Sequence, residues 1–281
     1  MTEITYGILH YNPHSHVEAT QAYINAVQSL AVQRSSRFTS EVYLIDQDSQ
    51  PLLTSKLANL YGFQPILLNK NVGISRGINL LARLARGQFI SLVTSDVIFT
   101  PRLDEDLISI LESNDNILQI APASDKSSLL HQKFNSNNHE LVFNLAQELT
   151  IQFWPRRVFD TIGYFDERWK ACYENLDFAL RIFLSGGLVA LCPDMLCPHE
   201  HNMSTKTGAI HDAYRNYIDM PNGLDHSPLL KMWKNKWPQV DRLLDIYATL
   251  PSDVCALRAR LNSVEQYRNN IYLPYIQNVG Y

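Results

Sequence analysis

The chain has 281 residues, 46% of them hydrophobic and 19% charged, with a net charge of −4. That length holds one large α/β domain or a domain with an appendage, and the apolar share can fill a real core. The slightly acidic balance argues against nucleic acid as a partner, and the composition argues against disorder.

The first residues, "MTEITYGILHYN", lack the basic stretch and apolar run of a signal peptide, and no apolar run reaches the roughly 18 residues of a membrane span. The sequence therefore reads as that of a soluble, cytoplasmic protein, with a peripheral membrane contact left open. Cys172, Cys192, Cys197 and Cys255 show no CxxC spacing and are expected as buried free thiols rather than as a disulfide or zinc set.

Taken in chain order, short apolar runs alternate with helical patterns, as in βαβ units of a mostly parallel sheet. "ITYGILHY" reads as a strand, 17–30 as a helix, "EVYLID" as a strand and 52–61 as a helix. "PILLN" is a third strand, 74–85 a helix stopped at Gly87, and "QFISLV" a fourth, strongly apolar strand. A helix over 101–113, with Pro101 suited to its first turn, leads to a strand at "NILQIAPA". Residues 124–140, "SDKSSLLHQKFNSNNHE", break the pattern with Ser, Asn and Lys and read as a functional or mobile loop. "LTIQFWPRRVF" gives a strand and a short helix, 176–185 a helix closed by Gly186 and Gly187, and "LVALC" a strand. The expected domains are an α/β unit over 1–207 and a more polar, helical C-terminal extension over 208–281.

In an open α/β sheet, ligands bind at the carboxyl ends of the strands. The polar residues there are Tyr11 and Asn12, Asp46 and Asp48, Asn69 and Asn71, and Thr94, Ser95 and Asp96. Asp46 follows "VYLI" directly and can accept hydrogen bonds from a base or ribose; turn chemistry in "DQDSQP" is the competing reading. Asp96 lies between the apolar runs "FISLV" and "VIF", where a carboxylate needs a cation, a donor or water. "HYNPHSH", with His10, His14 and His16, could hold a metal, but a loop rich in Pro, Asn and Ser tolerates surface histidines cheaply. That same stretch lacks the Gly-rich phosphate loop of a nucleotidyltransferase.

These segments, in their order, resemble the inverting glycosyltransferases of family 2, which have the GT-A nucleotide-sugar-binding fold. "HYN" resembles that family's first strand end, "LIDQDSQ" its "VDNGS" segment and "NVGISRGIN" its "NxGxxxxxN" turn and helix. "TSDVIFTP" is similar to its DxD-type segment in the "NPDV" form. "IGYFDERWKACYENLDFALRIFLSGG" resembles "GgFDErff.y.EDvDl..R...aG", and "CPDMLCPH" resembles "vPda.v.H", so the likeness spans about residues 4–201.

The resemblance implies a GT-A (Rossmann-like) α/β fold, its mostly parallel central sheet flanked by helices. It implies a nucleotide-sugar donor, a hydroxyl acceptor on a glycan, lipid-linked glycan or protein, hexosyl transfer as in polysaccharide biosynthesis, and Mn²⁺ or Mg²⁺. Asp46 would contact the base, Asp96 would hold the metal on the diphosphate, and His199 would lie close to both. Together with the strand-end residues Tyr11, Asn12, Asn71 and Ser95, and with Arg76 and Asn79 of the turn and helix, these make up the candidate donor-binding set.

Three positions depart from the pattern. Thr94 replaces the first acid of a full DxD, Ile78 stands where an Arg often precedes the helix Asn, leaving Arg76 as the nearby cation, and Asn175 stands where the family keeps its catalytic Asp. An amide cannot take the acceptor's proton, so four readings stand. Glu174 is the base; Asp177 is the base, unless it is simply paired with Arg181; the enzyme retains configuration with the leaving phosphate as base; or the protein is a catalytically silent nucleotide-sugar binder. For retention, "ENLDFALRIFLSGG" also resembles the "ENlElSfRvW.cGG" segment of mucin-type polypeptide GalNAc-transferases. Asn175 as helix N-cap and Asp177 in the first turn would explain the start of the helix, but not Glu174. Trp154, Trp169, Trp233 and Trp237 are expected in core or interface rather than as sugar platforms. The acceptor is expected to meet 124–140 and the tail.

Overall fold

The computed structural model describes residues 2–124, 133–136, 139–143, 150–199 and 227–238. Strands β1 (Ile4–His10), β2 (Ser40–Gln47), β3 (Gln64–Leu68) and β4 (Phe89–Thr94) form a parallel array in the order β3-β2-β1-β4. The crossovers are helices α1 (Val17–Gln33), α2 (Pro51–Tyr61) and α3 (Ile74–Leu84). β1 is buried along its whole length and β4 over all but its last residue, which is why both are mostly apolar. α1 buries Ala19, Ala22, Tyr23, Ala26, Val27 and Leu30, the three-and-four spacing of one helical face. α2 starts on Pro51 and stops at Gly62, whose φ of 71° is the left-handed geometry of a helix C-terminus.

Beyond β4 the sheet is mixed. The chain continues through α4 (Leu103–Ser113), β5 (Ile117–Ser124), β6 (Lys133–Ser136), β7 (His139–Phe143), β8 (Ile151–Pro155), α5 (Arg157–Ile162), α6 (Glu174–Leu184) and β9 (Leu188–Cys197). The nine described strands run β3-β2-β1-β4-β8-β5-β9-β7-β6, with β8 antiparallel to β4 and β5 and β9 parallel to β5. A last described helix, α7 (Ser227–Lys236), joins the main hydrophobic core through Trp233.

Three expectations need adjusting. α4 begins at Leu103, because Arg102 takes φ 61° and Pro101 stays in the preceding turn. The stretch 124–140, read as a loop, carries the end of β5, β6 and the start of β7, because β7 finds an antiparallel partner in β9, pairing Val142 with Leu191. α6 begins at Glu174, so Asn175 lies inside the first turn and is not the cap. The boundary at 207, most of the C-terminal extension, His201 and Cys255 lie outside the described residues. Among the described residues no helix is long and apolar enough to cross a membrane.

The chain runs outward from β1 to β2 and β3, then returns to β4 on the other side of β1. The carboxyl ends of β1 and β4 therefore flank the switch point, where such sheets hold ligands.

Candidate functional site

At the ends of β1 and β2, the expected donor-binding side chains are employed by the protein itself. Asn12, 1% exposed, donates from Nδ2 to His16 O and Thr20 Oγ1, each at 3.0 Å, and accepts from His16 N at 2.9 Å. Asp46, also 1% exposed, accepts from Ser49 N at 2.6 Å and from Thr54 Oγ1 at 2.5 Å. Ser49 Oγ in turn accepts from Asn12 N at 2.6 Å, tying the two strand ends together. Asp46 thus performs the turn chemistry that competed with base recognition. Asp46→Ala should leave the Thr54 hydroxyl and Ser49 N–H without their acceptor, at about 1–3 kcal/mol. A thermal melt reads this as a drop of several degrees, and an unchanged midpoint would contradict it. Tyr11 lies half-buried beside this corner.

The third strand end presents cations. Asn71 Oδ1 accepts from Gly73 N at 2.9 Å, and Gln47 Oε1 accepts from Val72 N at 3.1 Å. Gly73 has φ 84°, and a Cβ there would lie 2.6 Å from Lys170 O, so only glycine lets this turn dock against the chain around Lys170. Ile74 N donates to Lys170 O at 2.6 Å, and the Ser75 hydroxyl donates to Trp169 O. Asn79 completes the clamp: Oδ1 accepts from Phe165 N and Nδ2 donates to Phe165 O, both at 2.9 Å. Asn79 is 1% exposed and binds its own chain. Lys170, missed in the sequence reading, has its ammonium pushed below the ordinary lysine range, first by burial and then by repulsion from Lys70 and Arg76. Arg76 is exposed, with Glu167 at 3.7 Å as a loose partner. Lys70 and Arg76 therefore lie near enough to Lys170 to repel its charge, and Arg76 stands in the first turn of α3, a helix end that favours anions.

Asp96 and His199 are brought together as expected. Val97 and His199 form an antiparallel bridge, Ile98 N donates to Pro198 O at 3.0 Å, and His199 Nε2 lies 3.3 Å from Asp96 Oδ2. Both side chains keep some exposure, 16% for His199 and 14% for Asp96. No group of three or more His, Cys, Asp or Glu converges among the described residues. Two protein ligands do not make a dedicated metal cage, but they fit a hard cation whose remaining ligands are phosphate oxygens. Ser95 sits half-buried between Asp96 and Thr94. The Thr94 hydroxyl, where a first DxD acid would stand, is buried and without a hydrogen-bond partner among the described residues.

The opening turn of α6 separates three residues by environment. Asn175 Oδ1 accepts from Gln119 Nε2 at 2.9 Å, and the same nitrogen donates to Gln152 Oε1 at 2.8 Å, a buried amide set with no proton acceptor for catalysis. Asp177, fully buried, accepts from Arg181 Nε at 3.1 Å, Lys236 Nζ at 2.6 Å and Trp237 Nε1 at 2.9 Å. Its pairing with Arg181 was legible from the spacing; Lys236 and Trp237 were not. Glu174 differs from both. It is 9% exposed, its Oε2 has no hydrogen-bond partner among the described residues, and burial pushes its carboxyl up to about 7. A carboxyl that titrates near neutral pH and keeps one oxygen without a partner among the described residues can exchange a proton with a ligand. The four tryptophans are all core, at most 4% exposed.

The profile of the family described as "Glycosyl transferase family 2" matches residues 21–179, more than half the chain. No curated protein matches the sequence. Among solved structures, TarS 1-349 from S. aureus in complex with UDP-GlcNAc is similar at TM-score 0.55 and 15% identity, over 73% of this chain and 61% of that one. GalNAc-T7 with UDP, GalNAc and Mn²⁺ is similar at TM-score 0.66 and 14% identity, over 96% of this chain and 57% of that one. The mannosyltransferase PcManGT from Pyrobaculum calidifontis, in complex with GDP-Man and Mn²⁺, is similar at TM-score 0.55 and 13% identity, over 97% of this chain and 81% of that one. The chain thus spans less than two thirds of the first and second of these. At such identities the structures speak for the GT-A fold alone, while the profile places the chain by its sequence: it belongs to glycosyl transferase family 2.

Proposed function

We propose that the protein transfers a hexose from a nucleotide-sugar donor to a hydroxyl acceptor with inversion, using Glu174 as the base. The observation that carries this reading is the Glu174 carboxyl itself, buried, with its Oε2 lacking a hydrogen-bond partner among the described residues, and held near neutral by burial. Asp177, spent on Arg181, Lys236 and Trp237, and Asn175, spent on Gln119, leave Glu174 as the group of this turn able to take a proton. In the transfer, Glu174 accepts the acceptor hydroxyl's proton, the acceptor oxygen bonds to the anomeric carbon, and the bond from that carbon to the diphosphate oxygen breaks. The diphosphate leaves with the pair of electrons, and the cluster of Lys70, Arg76 and Lys170 supports it as the anion-facing wall. Asp96 and His199 would hold Mn²⁺ or Mg²⁺ against the diphosphate, which neutralises leaving-group charge when bound. A silent nucleotide-sugar binder is the second reading, favoured by the Thr94 hydroxyl being buried where a second metal-binding acid is expected.

Calorimetry with UDP, GDP or TDP and Mn²⁺ tests the donor site. One of them should bind only with the metal, and Asp96→Ala should weaken that binding by about 1.5–3 kcal/mol, the worth of a charge-assisted contact. Equal affinity for native protein and Asp96→Ala would remove the metal role.

A further inference from the structure

We propose that α7 is a working part of the catalytic site, in which Trp233 and Lys236 are positioning residues that hold the turn delivering Glu174. This rests on the reading of Glu174 as the acceptor's base. The turn itself is unusual: Cys172 and Tyr173, consecutive and neither of them glycine, take φ of 62° and 65°, and no side chain caps α6. Backbone of this kind persists where the surroundings over-determine it.

The surroundings are supplied in large part by α7. Tyr173 stacks on Trp233, with ring centroids 5.3 Å apart and planes at 19°, and Trp169 lies 6.0 Å from each of these rings. Leu229, fully buried, packs with Ala171, Cys172 and Tyr173. On the other flank, Lys236 Nζ reaches Asp177 at 2.6 Å and Asp166 at 2.7 Å, and Trp237 Nε1 donates to Asp177 at 2.9 Å. α7 therefore grips the residue immediately before Glu174 and the residue three after it. A buried cation shared by two carboxylates is weak evidence for net stability, and its best-attested use is to fix one arrangement over others. The charged and titratable groups around the turn are Cys172, Tyr173, Asp177 and Arg181 on its own segment, Asp166 and Arg168 on the preceding one, and Lys236 on α7.

The test uses the full chain and the variants Trp233→Ala, Trp233→Phe and Lys236→Met, each assayed below its own melting temperature. Release of nucleoside diphosphate by the native protein checks the underlying reading separately. In Trp233→Ala, kcat should fall roughly tenfold or more while the donor KM stays within about twofold, since small misplacements of a catalytic group are costly. Trp233→Phe, which keeps an aromatic face for Tyr173, should recover most of that loss, and Lys236→Met should resemble Trp233→Ala. Independently of activity, the Glu174 carboxyl, followed by carbon NMR and assigned by its loss in Glu174→Gln, should titrate about one pH unit lower in Trp233→Ala as water reaches the turn. Variants with a lowered melting temperature but unchanged kcat and unchanged Glu174 titration would reduce α7 to packing and overturn the proposal. A shifted titration in a protein whose native form releases no nucleoside diphosphate would uphold the positioning and reject the transfer reading. Should Trp233→Ala not fold, Trp233→Phe against Lys236→Met carries the same comparison.

Discussion

Asp177→Ala should destabilise the protein by about 3–5 kcal/mol, the usual cost of leaving buried charge without its counter-ion. Asp177 is fully buried and receives Arg181, Lys236 and Trp237, and both cations are largely shut off from water, with Arg181 7% and Lys236 6% exposed. Lys236 keeps Asp166, and Arg181 keeps Ile162 O at 3.2 Å as an acceptor, so the loss falls mainly on Arg181. A thermal melt should show a drop of roughly 10 °C, given about 2–4 °C per kcal/mol for domains of this size. A melting temperature near that of the native protein, with activity lost, would instead make Asp177 the base.

The second large effect sits three residues earlier and has the opposite balance. Glu174→Gln should cost about 10²-fold or more in kcat, as expected for loss of a general base. Its effect on stability should be favourable above neutral pH. Folding raises the Glu174 carboxyl from an ordinary value of 4.5 to about 7, so between those values the native state holds a proton that the unfolded chain has released. Stability from this group is fully present below about pH 4.5 and is lost as pH rises through about 7, on the order of 3 kcal/mol in all. Gln carries no such charge, so the variant should melt higher than native protein at pH 8 and similarly at pH 4. The native kcat should rise with pH through about 7 as the base ionises, and Glu174→Gln should lose that limb. A variant less stable at pH 8 would show that Glu174 has a structural partner.

The residues differed in how far the sequence alone could place them. Strand ends were legible because buried parallel strands are mostly apolar runs, and the polar residues after each lie at the ligand-binding edge; Asp96 was placed this way, while its pairing with His199, about 100 positions on, came from the family resemblance. What that logic cannot tell is whether a polar side chain at the edge faces a ligand or its own backbone. Asn12 and Asp46 bond the turn and helix start that follow them, and Asn79 holds the distant backbone at Phe165. Strands β6 and β7 were hidden because they are short and lie in a stretch rich in Ser and Asn, and their pairing depends on β9, far away in the chain, to which β7 adds antiparallel. Lys170, Lys236 and the bond from Trp237 to Asp177 were invisible for a simpler reason: their partners are far away in the chain, and a lysine next to a polar stretch looks like solvent-facing charge.

The most direct test of the account is a time course of nucleoside diphosphate release from a panel of UDP-, GDP- and TDP-sugars with Mn²⁺, run for the native protein, Glu174→Gln and Asp96→Ala. One donor should be turned over by the native protein, with release falling about 10²-fold in Glu174→Gln, and any glycosylated product should carry the anomeric configuration opposite to the donor's. Release at the native rate by Glu174→Gln, or a product with the donor's configuration, would contradict Glu174 as the base of an inverting transfer.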